Sequence, residues 1–544
     1  MITDGSTFIG KETLKTQVCI VGSGQAGITL AWHLLDKGID VTILEGSRVF
    51  SPGGANEQVT NAYQYNENKS LYNGESTGLF ATNEAEFLIR PTQGVSDSNG
   101  GWERERIYGG TSTHWGGQSR PLDRTTFMKR PGFLGWPITR EDLDPYYEKA
   151  CKFLDLYGDY YRTVGNKKVG GYNFTAEFWA NELGQSVADM EGFDVDMYQF
   201  VPQQNLQFQA RQVNGKTIGE SKAQVILNAS LLQINKASKS VTELTVGVMG
   251  GTHDAPTKAG EFTIQADCYV LACGAVANAR QLLLSDIGNE NDLVGRYLSG
   301  QPIATNAGAV STSNSYLTSA EISLLSYQNP NDVPGAKNTY PINFLAGLLT
   351  PNADSIMTNP IGSCWFNPEG SSQFYHGLLP EFESRITLSD NLDPVFGQKQ
   401  SLAKWVLSPQ EEENYNTLAG LFKKAVEAKG GGPVAIKPWS EVVPYMVYNG
   451  HHLCTTRMSA RAEDGVVDMN LKVHSMNNLY CAGSSVWSTP GVSNPTFSIV
   501  AFSIRLAEHL EQQLSAAGGT DSEDSIASTD AKPASNKGCN PFKS

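Results

Sequence analysis

Basic residues are the first thing this chain is short of. Lys and Arg number 41 against 56 Asp and Glu, a formal charge of −15 over 544 residues. Nucleic acids and anionic membrane surfaces need clustered cations, so neither is an expected partner; the balance suits a neutral or cationic small molecule. Long apolar runs are also missing. No stretch reaches the ~18 residues of a transmembrane helix, so no membrane span is expected. The opening Met1-Ile2-Thr3-Asp4-Gly5-Ser6-Thr7-Phe8 has no basic region followed by an apolar one. No secretory signal is expected from it, and a cytoplasmic location is, export alongside a partner subunit being the alternative that leaves no mark. Cysteines are few and scattered, eight in all, with no C-x-x-C pair. A zinc or iron–sulfur centre is therefore not expected, nor any other metal site. Cys19, Cys268, Cys273 and Cys481 lie in or beside apolar runs, where a thiol acts as a small buried hydrophobe. No repeat of 20–50 residues is present.

What is there is an ordinary globular composition, 40% hydrophobic and 18% charged, over a length too great for one core. Residues 16–21 are a short apolar run ending in glycines, a buried strand. Ala26 to Lys37 carries a helical apolar stripe ended by Gly38, and Val41 to Glu45 is a second strand. Residues 51–99 are rich in Gly, Asn, Ser and Gln without sustained periodicity, which reads as a long connection, lid or interface arm. Thr139 precedes two acids and is an expected helix N-cap. Residues 222–300 read as strands and a hairpin leading to a helix from Ala275. A further helix is expected from Pro409 to Lys429. From 513 to 544 the chain loses apolar pattern and is expected to be a disordered tail.

Gly22, Gly24 and Gly27 form G-x-G-x-x-G between a strand and a helix. The first glycine allows the tight turn, the second lets backbone approach a pyrophosphate, and the third lets helix and strand pack closely. Phosphates then meet the free N–H groups of the helix N-terminus. Glu45 follows Gly27 by 18 positions, where an acid binds ribose hydroxyls. Two more junctions of this kind occur, Ala272-Cys273-Gly274 and Ala482-Gly483-Ser484, the last followed by Pro495-Thr496 at the start of a helix. A chain that returns to its cofactor so late suits FAD better than a nicotinamide dinucleotide.

These segments resemble the glucose–methanol–choline (GMC) oxidoreductase superfamily, and within it the bacterial sugar and polyol dehydrogenases and the pyranose oxidases. The resemblance rests on Gly22 to Gly27 with Glu45, Gly109 to Trp115, Gly135 to Ile138, Val270 to Leu284, Val294 to Leu298, His451 to Met458, Gly465 to Asp468 and Ala482 to Ile499, about half the chain. It implies FAD held by Gly22, Gly24, Gly27, Glu45, Gly110, Thr111, His114, Ala272, Gly274, Gly483, Ser484, Pro495 and Thr496. It implies His451, six residues before Arg457, as catalytic base, and Asn494, in N-P-T, as its partner. Adjacent residues of an extended segment face opposite ways, so only one of His451 and His452 serves, and the spacing selects His451. Cys454 departs from the family, which usually has glycine there. His114 matches the position through which pyranose oxidases bind flavin covalently, but Gly116-Gly117 departs from their pattern; non-covalent FAD is the expectation and a His114 bond the alternative. Trp136, Pro137, Arg457 and His474 are assigned to packing and bracing. Residues 190–225 lack the cysteines with which some relatives relay electrons to a cytochrome, which directs reoxidation to oxygen or a soluble acceptor.

The expected architecture is α/β, a discontinuous Rossmann-like FAD-binding domain (14–50, 100–125, 222–305 and 445–512) with a sheet-based substrate-binding domain (126–221 and 306–444). The expected activity is oxidation of a hydroxyl, a secondary alcohol of a sugar or glycoside, to a carbonyl. The partners are a small alcohol or sugar and an electron acceptor, with an oligomer compatible. The alternatives are a non-sugar alcohol, polyol or aminoglycoside-precursor oxidoreductase, and a non-catalytic flavin-binding subunit.

Overall fold

The computed structural model describes residues 1–47, 82–86, 106–113, 115–130, 133–251, 256–310, 316–337, 339–342, 344–352, 362–365, 371–443, 446 and 450–519. The expected arm at 51–99 lies outside them apart from one short strand, and so does the tail beyond 519. The helix before that tail runs from Pro495 to Gly519, past the expected break at 513.

The first sheet is built round the strand Leu14–Val21. Val18, Cys19 and Ile20 are fully buried, as a strand covered on both faces requires. In order, the sheet runs Ile2–Asp4, Gln224–Leu227, Val41–Leu44, Leu14–Val21 and Pro256–Leu271, all parallel. It continues antiparallel through Ser240–Gly251 to Ser230–Ala237. The long strand Pro256–Leu271 changes neighbour along its length. Its first half pairs with Ser240–Gly251, while Tyr269, Val270 and Leu271 pair in parallel with Leu479, Tyr480 and Cys481. The chain's last strand is thus two places from its first glycine turn, with only Pro256–Leu271 between them.

Helix Gln25–Asp36 packs under the C-terminal helix Pro495–Gly519, which also rests on helix Arg140–Leu154. The start of Arg140–Leu154 is fixed as its sequence implies. The Thr139 hydroxyl accepts from the Asp142 N–H at 3.3 Å, and the Asp142 carboxylate accepts from the Thr139 N–H at 2.8 Å.

The second sheet has seven antiparallel strands in the order Val434–Ile436, Ile303–Val310, Ser371–His376, Gly362–Trp365, Leu345–Pro351, Phe193–Phe200 and Gln118–Ser119. Helix Glu411–Ala428 packs against it. Two pieces fall differently from the sequence-based division. Gln118–Ser119, expected with the cofactor domain, forms an edge of this second sheet. The hairpin Arg385–Leu392 and Lys399–Lys404, expected with the substrate domain, packs on helix Gly274–Leu284 of the first. Strand propensity tells nothing about which sheet a strand joins; long-range packing decides it.

Arg120 ties the second sheet to the loop before the C-terminal helix. Its guanidinium, 4% exposed, bonds the carboxylates of Asp123 and Asp196 and reaches Ser493 Oγ at 2.8 Å. Asp196 lies in strand Phe193–Phe200, and Ser493 stands just before the C-terminal helix. Removing one partner leaves opposite charges buried and unmatched. Arg120→Ala is expected to cost ~3–5 kcal/mol of stability, read as a lowered midpoint in urea; a midpoint unchanged from the parent would contradict the assignment.

Candidate active site

Three glycine turns meet at one edge of the first sheet. The register aligns Val21, Leu271 and Cys481 side by side, so the turns after them are neighbours. The backbone continues the ladder by one step, with Ala272 N–H donating to Val21 O and Ala482 N–H to Leu271 O, each at 2.8 Å. Gly22 has φ of 108° and lies so close to Ala272 that a Cβ would stand 2.5 Å from its carbonyl oxygen. A Cβ on Gly27 would stand 2.0 Å from the Gly22 oxygen, the close helix–strand approach expected of the third glycine. Around Gly24, Gly274 and Gly483, by contrast, a Cβ would meet nothing within 4 Å. Two glycines are filled by protein, and three face open space at the strand ends.

Glu45 is buried and held by this edge. Its carboxylate accepts from Ser23 N–H at 3.2 Å, Ser23 Oγ–H at 2.5 Å and Ser47 N–H at 2.9 Å. Ser23 Oγ in turn accepts from Gly109 N–H at 3.1 Å. That contact brings the turn Gly110–Thr113 against the first glycine turn, with Gly110 at φ 57° and its Cβ position 3.1 Å from Gly24 Cα. Thr111 lies in this turn, whereas His114 lies outside the described residues. Asn278 locks the second and third turns: its side chain accepts from Cys273 N–H at 2.9 Å and donates to Ala482 O and Ser485 Oγ, both at 3.0 Å. An open, N–H-rich edge with a held carboxylate at the neighbouring strand end fits a dinucleotide, and a third turn from the far end of the chain fits the greater length of FAD.

The segment carrying His451 runs beside the third turn. Cys454 N–H donates to Ser484 O at 3.1 Å, Thr456 N–H to Ser485 O at 2.8 Å, and Ser484 Oγ–H to His452 O at 2.7 Å. Cys454 has φ of 73°, a conformation that favours glycine and costs a residue with a Cβ ~1–2 kcal/mol. The sequence departs from the family at just this position, and the backbone keeps the glycine-like geometry. On the other side of the segment, Ser299 and Leu453 exchange backbone hydrogen bonds as an antiparallel bridge. Two steps along the same register, Gln301 faces His451, and Gln301 Oε1 lies 2.8 Å from His451 Nδ1. Burial pushes the His451 imidazole down to about 4, so it is neutral and able to accept a proton at ordinary pH. The His452 ring instead turns to Trp405, 6.3 Å between centroids.

Asn494 stands immediately before the helix Pro495–Gly519, which Pro495 and Thr496 open. Its Nδ2 donates to Gln118 Oε1, and its Oδ1 accepts from Tyr198 O–H at 3.3 Å. Burial pushes the Tyr198 hydroxyl up to about 12, so it remains a donor. Tyr198 begins an aromatic wall on the second sheet. Its ring stacks on Trp365 at 5.6 Å and 7°, and Trp365 stacks on Tyr327 at 4.9 Å and 5°. Gln118 Nε2 donates to the Tyr327 hydroxyl at 3.1 Å, joining wall and carboxamide. Tyr327 and Phe344, on either side of Phe200, are half exposed at its rim.

The residues assigned to bracing have such contacts. Arg457 lies 3.5 Å over the Tyr297 ring and donates to Asp464 O; Trp136 Nε1–H donates to Thr489 Oγ1 at 2.9 Å; His474 meets Ser459 Oγ at 3.0 Å. Gln301, Gln118 and Tyr198 escape sequence reasoning: none belongs to a glycine or histidine motif, and only long-range packing brings them to the site. Ser23 lies inside the G-x-G-x-x-G turn, but its bond to Glu45 is not readable from the motif. Among the described residues no group of acids, histidines and cysteines is placed to hold a metal ion, and no helix is long and apolar enough to cross a membrane.

A cradle of this kind beside a neutral, partly buried imidazole and a carboxamide fits an FAD-dependent oxidoreductase. Comparison with known proteins agrees. Residues 15–59 match an FAD-binding domain and residues 407–503 a GMC oxidoreductase domain. The 6'''-hydroxyparomomycin C oxidase of Streptomyces lividus is 23% identical over 92% of this chain and 92% of its own. The fructose dehydrogenase large subunit of Gluconobacter japonicus is 21% identical over 93% and 99%. An FAD-dependent oxidoreductase from Chaetomium thermophilum superposes with a TM-score of 0.58 at 16% identity, covering 92% of this chain and all of that one. The chain thus carries a GMC oxidoreductase domain and an FAD-binding domain, and the relatives it resembles along its length are GMC-type oxidases and dehydrogenases.

The filled and open glycines separate by mutation. Gly27→Ala is expected to destabilise even the FAD-free protein, since its Cβ meets backbone. Gly24→Ala is expected to leave the FAD-free protein within ~1 kcal/mol of the parent while reducing the flavin retained on purification, measured as absorbance near the flavin band per protein. Equal flavin content in parent and Gly24→Ala would contradict the cradle.

Proposed function

We propose that this enzyme oxidises a hydroxyl group, a secondary alcohol of a sugar or glycoside, to the carbonyl, with His451 as base and Asn494 as its partner. The carrying observation is the His451 imidazole, partly buried, held neutral by desolvation and bonded at Nδ1, beside a cradle that fits FAD. Bound FAD supplies the acceptor for the hydride that leaves the carbinol carbon. The rest is the work of this chain. With Nδ1 occupied by Gln301, Nε2 of His451 accepts the hydroxyl proton as the carbon–hydrogen bond gives up its electron pair. The Asn494 carboxamide, held by Gln118 and Tyr198, orients the substrate oxygen. Loss of one proton to His451 and one hydride to the flavin is the two-electron, two-hydrogen change from alcohol to carbonyl, the oxygen being retained.

A sugar ring presents flat C–H faces, and the Tyr198–Trp365–Tyr327 wall presents aromatic surface beside Asn494. Two relatives named above act, by their names, on a saccharide or an aminosaccharide, which supports the same substrate class. The lack of cysteine in 190–225 supports reoxidation by oxygen or a soluble acceptor over relay through a cysteine cluster. The soluble acceptor, the cytoplasmic location and the non-covalent state of the flavin at His114 belong to this proposal.

His451→Ala is expected to keep FAD and to slow anaerobic flavin bleaching by sugars ~10²–10⁴-fold. Bleaching at the parent rate would remove His451 from its role. Because burial holds the imidazole at about 4, the parent bleaching rate is expected to be flat from pH 5 to 8 and to fall only as pH drops toward 4, where Nε2 becomes protonated. A limb centred near 6.5 would contradict a buried base. A yellow protein that no alcohol bleaches would identify the non-catalytic subunit instead.

A further inference from the structure

We propose that Gln301 is the positioning residue that fixes the tautomer of His451 and, with the other end of the same carboxamide, the loop that carries Asn494. The inference deepens the reading of His451 as base and rests on it. Gln301 is 1% exposed, so water does not compete for its bonds. Its Nε2 donates to two backbone carbonyls, Gly491 O and, at 3.0 Å, Ser493 O. Carbonyl oxygens only accept, so they identify the NH2 end of the amide; a flipped amide would set oxygen against oxygen at both. The remaining atom, Oε1, only accepts, and it lies 2.8 Å from His451 Nδ1. Nδ1 therefore carries the proton. A neutral imidazole has one N–H, so the lone pair is on Nε2, the nitrogen a base uses.

The same amide sets the second side chain. Gly491 and Ser493 flank Val492 and lead directly into Asn494, and the loop is also held by Arg120 at Ser493 Oγ and by Tyr198 O–H at Val492 O, 3.3 Å. Gln301 is the one side chain among the described residues that is bonded both to the imidazole and to this loop. Its place follows from the Ser299–Leu453 bridge, which sets position 301 opposite 451. Around the imidazole the strand pairing and the loop present neutral groups. Among the described residues no ionisable side chain contributes to the shift of His451, and the Arg120, Asp123 and Asp196 charges meet the loop from Ser493.

The test begins with the FAD-loaded parent labelled with 15N-histidine, the His451 signals being assigned by their loss in His451→Ala. One protonated nitrogen at Nδ1 and one bare nitrogen at Nε2 are expected; a proton on Nε2 at neutral pH would overturn the proposal without any variant at 301. In Gln301→Leu the His451 pair is expected to move toward averaged positions. Flavin reduction at saturating sugar is expected to slow about 10–100-fold with KM changed less than about threefold. Unchanged 15N shifts and a reduction rate within about twofold of the parent would also overturn it. His451→Ala run in parallel separates the two ideas. If it bleaches normally, the base reading itself fails; if it is slow while Gln301→Leu is normal, only the role of Gln301 fails.

Discussion

The arrangement depends on three residues at the end of one strand. Tyr269, Val270 and Leu271 pair in parallel with Leu14–Val21 on one side and with Leu479–Cys481 on the other. Parallel pairing puts the carboxyl ends of all three strands together, and each is followed by a glycine turn. The edge of an open α/β sheet is where such folds bind ligands, because helix N-termini and free N–H groups collect there. Here the third turn also brings the far end of the chain, and with it His451 and Asn494. The glycine turns and the side chains proposed to react are neighbours because a short strand near residue 480 adds to a sheet begun near residue 14.

From that pairing the site is assembled by short hydrogen-bonded relays. Residues 454–458 run beside Ser484–Val486, and the Ser299–Leu453 bridge adds the strand that leads into the second sheet. Gln301 stands just past that bridge, and Pro302 and Ile303 continue directly into the seven-stranded sheet. That sheet therefore begins beside the proposed base. Arg120 repeats the device, joining the second sheet to the loop before Asn494. Burial of each group makes these bonds matter, since an unmatched polar or charged group there costs more than it would in water.

Much of this was legible in the sequence, and the reason differs by element. The βαβ unit at Leu14–Leu44, the helix at Gly274–Leu284 and the Thr139 cap follow from local patterns of glycine, apolar spacing and capping chemistry, which need no knowledge of distant contacts. His451 and Asn494 are nominated by resemblance, not by periodicity. The departure at Cys454 was visible as an odd residue, but its left-handed backbone, φ 73°, was not. The allocation of Gln118–Ser119 and of the 385–404 hairpin to sheets was not legible, because both depend on pairing across long separations. Gln301 and Gln118 left no signal at all: a glutamine becomes informative only once the two ends of its amide have been given partners.

The most direct test is a crystal structure of the FAD-loaded protein with a non-reacting sugar. The diphosphate is expected over Gly24, with FAD also contacting the turns at Gly274 and Gly483, and His451 Nε2 is expected within hydrogen-bonding distance of the sugar hydroxyl, with Asn494 on the same oxygen. FAD bound away from those turns, or a sugar hydroxyl beyond the reach of both side chains, would contradict this arrangement.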